Sequence, residues 1–327
     1  RSLLAVMGAS FAALRFYTHG KKHFTETGYL ENAESFTPGV LEGADLKGKT
    51  YAVTGANSGI GYEVARYLAA HKGKVLMLCR SRARAQVARD KIVADTQNND
   101  VEIVECDVSL AEDVRRVAAQ LKSKLRTLDC LVCNAGALAD ERTATKEGHE
   151  VTFAAHLLCG TYLLTMQLMP LLKAAKDPRV VVVSSGGMYT TAYDQARAVD
   201  PEVSFDGQLA YANAKRGQVL LVERWAADAE LAPVKFVSCH PGWTDTPGVD
   251  SAYGSSKSWL EPLRTLWQGS DGICWLCVAH GAELVSGEFY LDRMPQEKYL
   301  DWGISYILHA STTNTPEEVD EMMQTLA

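Results

Sequence analysis

The sequence predicts one doubly wound α/β domain with a parallel sheet of about seven strands. Three observations carry that expectation. Short β-type runs alternate with longer helical ones from Gly48 onward, and Val180–Val183 is an unbroken β-branched run. A strand buried on both faces of a parallel sheet has that composition. A glycine-rich turn, Gly55 to Gly61, falls between the first strand and the first helix.

In order, Tyr51–Val53 reads as a strand, followed by a helix with Ile60, Val64 and Leu68 at four-residue steps. Val75–Leu78 is the second strand, a charged helix runs over residues 84–95, and Val101–Glu105 is the third strand. Residues 111–125 are helical and Leu128–Cys133 is strand-like. A long helix over residues 148–173 stops at Asp177-Pro178, because the residue before a proline disfavours the helical region. The strand Val180–Val183, a helix over 209–231, the strand Val234–Ser238, a helix over 260–279 and the strand Glu288–Leu291 complete the pattern.

This places a Rossmann-type domain at 48–293, with an N-terminal segment 1–47 and a C-terminal extension 294–327. The irregular stretches Gly186–Gly207 and Pro247–Ser258 follow strand carboxyl ends, where open α/β sheets place ligands, and are expected to bind substrate. Leu3–Leu14 is an apolar run flanked by Arg1 and Arg15 and followed by Lys21, Lys22 and His23. It is shorter than the roughly 20 residues needed to span a bilayer. Three readings stand: a targeting remnant, a contact with anionic lipid at a membrane surface, and a helix packed on the main domain.

Apolar residues are 47% and charged residues 22% of the chain, an ordinary globular balance. A net charge of −7 supplies no basic field for nucleic acid. Eight scattered cysteines do not form a secreted disulfide framework, and an intracellular protein, cytoplasmic or peripherally bound to membrane, is expected. Cys130/Cys133 and Cys274/Cys277 have zinc-like spacing. The first pair lies in a strand, where an i,i+3 spacing sends side chains to opposite faces, and the second lies in an apolar helix. Both read as core, and no metal is expected.

The turn Thr54-Gly55-Ala56-Asn57-Ser58-Gly59-Ile60-Gly61 suits a dinucleotide pyrophosphate. Its glycines permit a tight backbone approach, and the helix starting near Gly59 offers free N–H groups and a positive dipole end. The adenosine 2′ position is read after the second strand, where an acidic residue favours NAD. Here the run is Cys79-Arg80-Ser81-Arg82, and the Arg80 guanidinium can pair with a 2′-phosphate. NADP(H) is therefore expected over NAD(H). Asp107, with Val108 beside it, is expected at the adenine, and Asn134-Ala135-Gly136 along the ribose side. Pro241, Gly242, Thr244 and Thr246, after the sixth strand, are expected to close over the nicotinamide.

Tyr211 and Lys215 stand four residues apart on one helical face. A free tyrosine, with a pKa near 10, transfers protons poorly at neutral pH, and a lysine cation nearby is expected to draw it down. Tyr211 then serves as the proton donor or acceptor at a carbonyl or alcohol oxygen. Lys215 is also placed to hold the nicotinamide ribose. A serine of Ser184-Ser185-Gly186 is placed to orient that oxygen for hydride transfer.

With these motifs in order, the chain resembles the short-chain dehydrogenase/reductase family over residues 48–293. Thr54–Gly61, Asn134–Gly136, Tyr211–Lys215 and Pro241-Gly242 carry the resemblance. It implies that Ser185, Tyr211 and Lys215 are catalytic, and that Tyr211 and Lys215 also contact the cofactor. It implies a homodimer paired through the long helices 148–173 and 209–231. One departure stands out. The family's asparagine, which anchors a relay water in the long helix, is absent from Phe153-Ala154-Ala155-His156-Leu157-Leu158-Cys159-Gly160. His156 is the candidate occupant, with one extra residue before Gly160. A water-binding histidine and a satisfied core histidine are both open readings. Met188, Tyr189, Trp243, Tyr253 and Trp259 lie near the two loops, which suits a hydrophobic carbonyl or alcohol substrate, although packing explains aromatics equally well. The rival function is a non-catalytic redox sensor that binds NADP(H).

Overall fold

The computed structural model describes residues 16–136, 138–249, 254–299 and 312–327. Among them the strands are β1 (Thr50–Thr54), β2 (Lys74–Cys79), β3 (Val101–Glu105), β4 (Cys130–Cys133), β5 (Arg179–Val183), β6 (Lys235–Cys239), β7 (Phe289–Leu291) and β8 (Met294–Gln296). They form one sheet in the order β3-β2-β1-β4-β5-β6-β7-β8, parallel except for the β7–β8 pair. The seven expected strands are present with ends shifted by a residue or two, and β8 is an addition. It returns through Asp292 and Arg293, which both have positive φ, the geometry of a two-residue hairpin turn.

Helices α1 (Glu26–Ala33), α2 (Gly59–Ala70), α3 (Arg82–Thr96), α4 (Ala111–Lys124), α5 (Val151–Lys173), α6 (Gln195–Val199), α7 (Gly207–Ala227), α8 (Leu266–Val278) and α9 (Pro316–Leu326) surround the sheet. One apolar layer joins Val114, Leu121, Leu157, Leu168 and Leu220 of α4, α5 and α7 to alternate strand residues. The other joins Val64, Leu68, Ile92, Ile273 and Leu276 of α2, α3 and α8 to the intervening ones. Fully burying each such side chain contributes about 1.5–3 kcal/mol, so the two layers hold the helices to the sheet.

The cysteines follow this alternation. Cys133 packs in the first layer and Cys130 in the second, on opposite faces as the spacing predicts. Cys130 Sγ lies 3.8 Å from Cys277 Sγ of α8, and all eight cysteines are buried. Helix α5 is long and apolar enough to cross a membrane, yet 61% of its apolar window is buried inside the protein.

Both ends of the described chain pack on this framework. Residues 16–23 are helical, and Phe16 and Phe24 join a third cluster with Met188, Tyr189, Trp243 and Phe289. Leu41 and Leu46 enter the second layer. At the other end, α9 starts with a capping box formed by Thr315 and Glu318 and a first-turn proline. It buries Val319, Met322 and Leu326 in the first layer, and Asp320 pairs with Arg224 of α7. The apolar run Leu3–Leu14 and Tyr253 lie outside the described residues.

Candidate active site

The carboxyl ends of β1, β4, β5 and β6 all open on one edge of the sheet, because these strands are parallel. The neighbours β1 and β4 mark the point where the strand order reverses, and the glycine turn lies there. Gly55 and Gly59 have φ of +67° and +55°, a region that costs other residues strain. A Cβ on Gly55 would stand 3.0 Å from Ala135 Cα, and one on Gly61 would overlap the Asn134 amide. The turn is therefore pressed against Asn134-Ala135.

Hydrogen bonds fix that contact. The Asn134 and Ala135 amides donate to Thr54 Oγ1 at 2.9 and 2.8 Å, and Asn134 Nδ2 donates to the Thr54 carbonyl at 2.9 Å. Asn134 thus ties β4 to β1. The buried Cys79 thiol of β2 faces the Ala56 and Asn57 amides, a neighbour of the turn that no motif announced.

Ser58 precedes α2 in extended conformation, and its side chain does not cap the helix. Among the described residues, Thr246 is the one whose side chain comes within 4 Å of a Cβ built on Gly59, at 3.8 Å. An uncapped helix start, glycines and a facing threonine make a cradle that fits a pyrophosphate. Ile60 lies in the first turn of α2, half-buried.

Arg80 follows β2 and is exposed, beside Ser81, whose hydroxyl caps α3 by accepting from the Arg84 amide. Asp107 is half-buried after β3, and its Oδ1 accepts from the Ser109 amide and hydroxyl at 3.0 and 2.7 Å. Val108 is buried beside it. In the segment after β6, Gly242 has φ +74° and lies against the Arg264 guanidinium. Thr244 is buried behind that turn, donating to the Pro241 carbonyl at 3.0 Å. Thr246, not Thr244, faces the glycine turn.

The reacting groups converge after β5. Ser184 donates to the Lys215 carbonyl at 2.8 Å, which joins the strand end to α7. Ser185 is the serine that hydrogen-bonds Tyr211, and its Oγ also accepts from the Gly187 amide at 3.2 Å. Lys215 Nζ donates to the Val183 carbonyl at 2.8 Å and sits 5.4 Å from the centre of the Tyr211 ring.

The electrostatics correct one expectation. Burial raises the Tyr211 phenol above its usual value near 10, against the opposing pull of the Ser185 hydrogen bond. Burial also lowers Lys215 to about 7. Desolvation disfavours charge on both side chains, and the lysine is turned to a backbone carbonyl. In this geometry the lysine does not draw the tyrosine down.

The extra residue before Gly160 also finds its place. Ala154–Leu163 is a π-helical stretch inside α5, the form a one-residue insertion takes within an α-helix. A Cβ on Gly160 would overlap the Ala155 carbonyl, so glycine is required at the wide turn. Thr161 Oγ1 and Gln218 Nε2 donate to the His156 carbonyl at 2.5 and 2.8 Å.

The buried His156 ring meets the Tyr211 ring edge to face at 5.3 Å. It lies beneath Gly136, where a Cβ would come within 2.8 Å of Nδ1. The π-helical turn thus sets the register that the sequence left open and places His156 against Tyr211.

Three of the aromatic-loop residues turn out to be packing. Met188, Tyr189 and Trp243 are covered by Phe16 and Phe24 in the third cluster and are not an open substrate wall. Trp259 is exposed.

The sequence profile of the short chain dehydrogenase family matches residues 49–257. The chain is 35% identical to dehydrogenase/reductase SDR family member 12 from Bos taurus over 319 residues, covering 97% of this chain and 96% of the relative. It is 30% identical to retinol dehydrogenase 12 from Bos taurus over 250 residues, covering 76% and 78%. A putative short chain dehydrogenase from Escherichia coli CFT073, complexed with NADPH, superposes with a TM-score of 0.62 at 22% identity, covering 76% of this chain and 98% of that one.

Proposed function

Because the chain belongs to the short-chain dehydrogenase/reductase family, we propose that it is an NADP(H)-linked oxidoreductase that reduces a carbonyl carbon of a hydrophobic small molecule. The observation that carries this reading is the convergence of Ser185, Tyr211 and Lys215 at one strand end, on the sheet edge that also bears the glycine cradle. NADP(H), when bound, supplies or accepts the hydride. The Gly55–Gly61 turn and the start of α2 would hold its pyrophosphate, and Arg80 would meet a 2′-phosphate.

The remaining work falls to the protein's own side chains. Ser185 donates a hydrogen bond that orients the substrate oxygen. Tyr211, protonated at neutral pH and made a weaker acid by burial, gives that oxygen a proton as it gains charge, which suits the reductive direction. Lys215, held near neutrality, can take up and return a proton beside the phenol.

Exposed Arg80, with no acidic residue in its run, supports NADP over NAD. The NADPH of the Escherichia coli fold neighbour agrees with that choice. A relative named for retinol supports an apolar substrate. The basic flank of Leu3–Leu14 supports peripheral contact with an intracellular membrane. The test is turnover of NADPH against a panel of ketones and aldehydes, with Tyr211→Phe as control. Wild-type turnover at least about a hundredfold above the control is expected. Tight NADPH binding with equal rates for both proteins would instead support a redox sensor.

A further inference from the structure

Arg264 lies outside every motif and is almost fully buried. Its guanidinium makes a two-pronged pair with Asp292, at 2.5 and 2.8 Å. Its remaining donors reach the end of the helical residues 16–23. Nη2 donates to the His23 carbonyl at 2.8 Å, and Nε donates to those of Phe24 and Thr25 at 2.9 and 3.2 Å. The His23 carbonyl lies at the C-terminal end of that helix, where unpaired carbonyls and the helix dipole favour a cation, and the Phe24 and Thr25 carbonyls follow directly after it.

The same side chain is pressed against Gly242, where a Cβ would come 2.5 Å from Arg264 Cδ and Cζ. Arg264 therefore holds the N-terminal helix and the Pro241-Gly242 turn together.

Two further contacts join these segments. The Trp243 amide donates to the Phe24 carbonyl at 2.7 Å, and the Arg264 amide to the Trp243 carbonyl at 2.8 Å. The Trp243 indole lies across Gly20, where a Cβ would stand 2.5 Å from Cη2, and it packs edge-on against Phe16 and Phe24. Three residues on, Thr246 faces the glycine turn across the cradle. Segments 16–25 and 241–246 thus form one packed unit, with Arg264 inside it and the cofactor cradle at its edge.

We infer that residues 16–25 are a clasp that holds the Pro241–Thr246 wall of the cofactor cradle in place, with Arg264 as its positioning residue. The inference rests on the cofactor reading above and extends it. The clasp and the cofactor stabilise each other, because a docked clasp fixes the wall that the dinucleotide meets. Thermodynamic reciprocity then requires a bound cofactor to hold the clasp down.

The test uses the full chain and trypsin, which cuts after the exposed Lys21 and Lys22 when the clasp opens. Cleavage after the exposed Lys124, at the far end of α4, is the control. Saturating NADPH is expected to slow cleavage at Lys21 and Lys22 at least about fivefold relative to Lys124, since such rates follow the open population.

Gly20→Leu, which forces Trp243 away, is expected to speed that cleavage and raise the NADPH dissociation constant about tenfold or more. Binding of NADPH with no selective protection of Lys21 and Lys22 overturns the clasp alone. Failure of the wild-type chain to bind any nicotinamide dinucleotide overturns the cofactor reading and the clasp with it. If Gly20→Leu does not fold, the protection measured on the wild-type chain decides.

Discussion

Replacing Lys215 by methionine should stabilise this protein while destroying its turnover. The amine titrates at 10.5 in water and at about 7 in the folded chain, with burial as the main cause. The folded pKa is depressed, so between pH 7 and 10.5 the unfolded chain binds a proton that the folded chain does not. Stability therefore rises with pH across that window, and the burden on the wild type is greatest at its lower end.

At pH 7 that burden is about 4 kcal/mol, falling below about 1 kcal/mol near pH 10. Methionine removes it but leaves the Val183 carbonyl, now bonded to Nζ at 2.8 Å, without its donor. That loss costs about 1–3 kcal/mol. The expected net gain at pH 7, without cofactor, is about 1–3 kcal/mol, or roughly 1.5–4.5 °C in Tm. Urea denaturation of both proteins at pH 7 and pH 10 measures it. A variant less stable than wild type at pH 7, or equally stabilised at both values, would refute the argument that burial dominates Lys215.

Three other outcomes follow from the same geometry. Gly136→Ala should push the His156 ring off Tyr211 and lower kcat roughly 10–100-fold, the usual penalty for displacing a positioned group; an unchanged kcat would mean that His156 has no part in the chemistry. Arg80→Asp should weaken NADPH binding about tenfold or more while sparing NADH, and equal losses in fluorescence titration would remove Arg80 from the phosphate site. Met322→Ala on α9, at a position with 0% exposure, should cost about 2–5 kcal/mol by chemical denaturation; a loss below about 1 kcal/mol would show that α9 is not part of the core.

The sheet was legible in the sequence because the strands between Tyr51 and Leu291, apart from the mixed Val101–Glu105, are largely apolar runs bounded by turn residues. What stayed hidden depends on contacts that spacing does not encode. The β7–β8 hairpin has no Asn-Gly or Gly-Gly signal. Its turn is instead held by distant partners, Asp292 to Arg264 and Arg293 to Asp271.

The site divides in the same way. Glycine order and the Tyr211–Lys215 spacing were readable because local chain geometry fixes them, whereas Ser185 was singled out from Ser184 only by the family resemblance. The π turn left one clue, the surplus residue before Gly160, but only packing against Gly136 decides where His156 points. Trp243 stayed open between substrate contact and packing because a sequence shows that an aromatic is near a loop, not what covers it. The lowering of the Tyr211 pKa was expected from spacing alone. Burial, which spacing cannot report, reversed it.

Hydride transfer at the Tyr211 site can be read directly with NADPH deuterated at the transferable position of nicotinamide C4. For any carbonyl compound that the chain reduces, mass spectrometry should show one deuterium on the former carbonyl carbon, and Tyr211→Phe should yield almost no labelled alcohol. Alcohol formed without deuterium, or labelled equally well by Tyr211→Phe, would contradict the assignment.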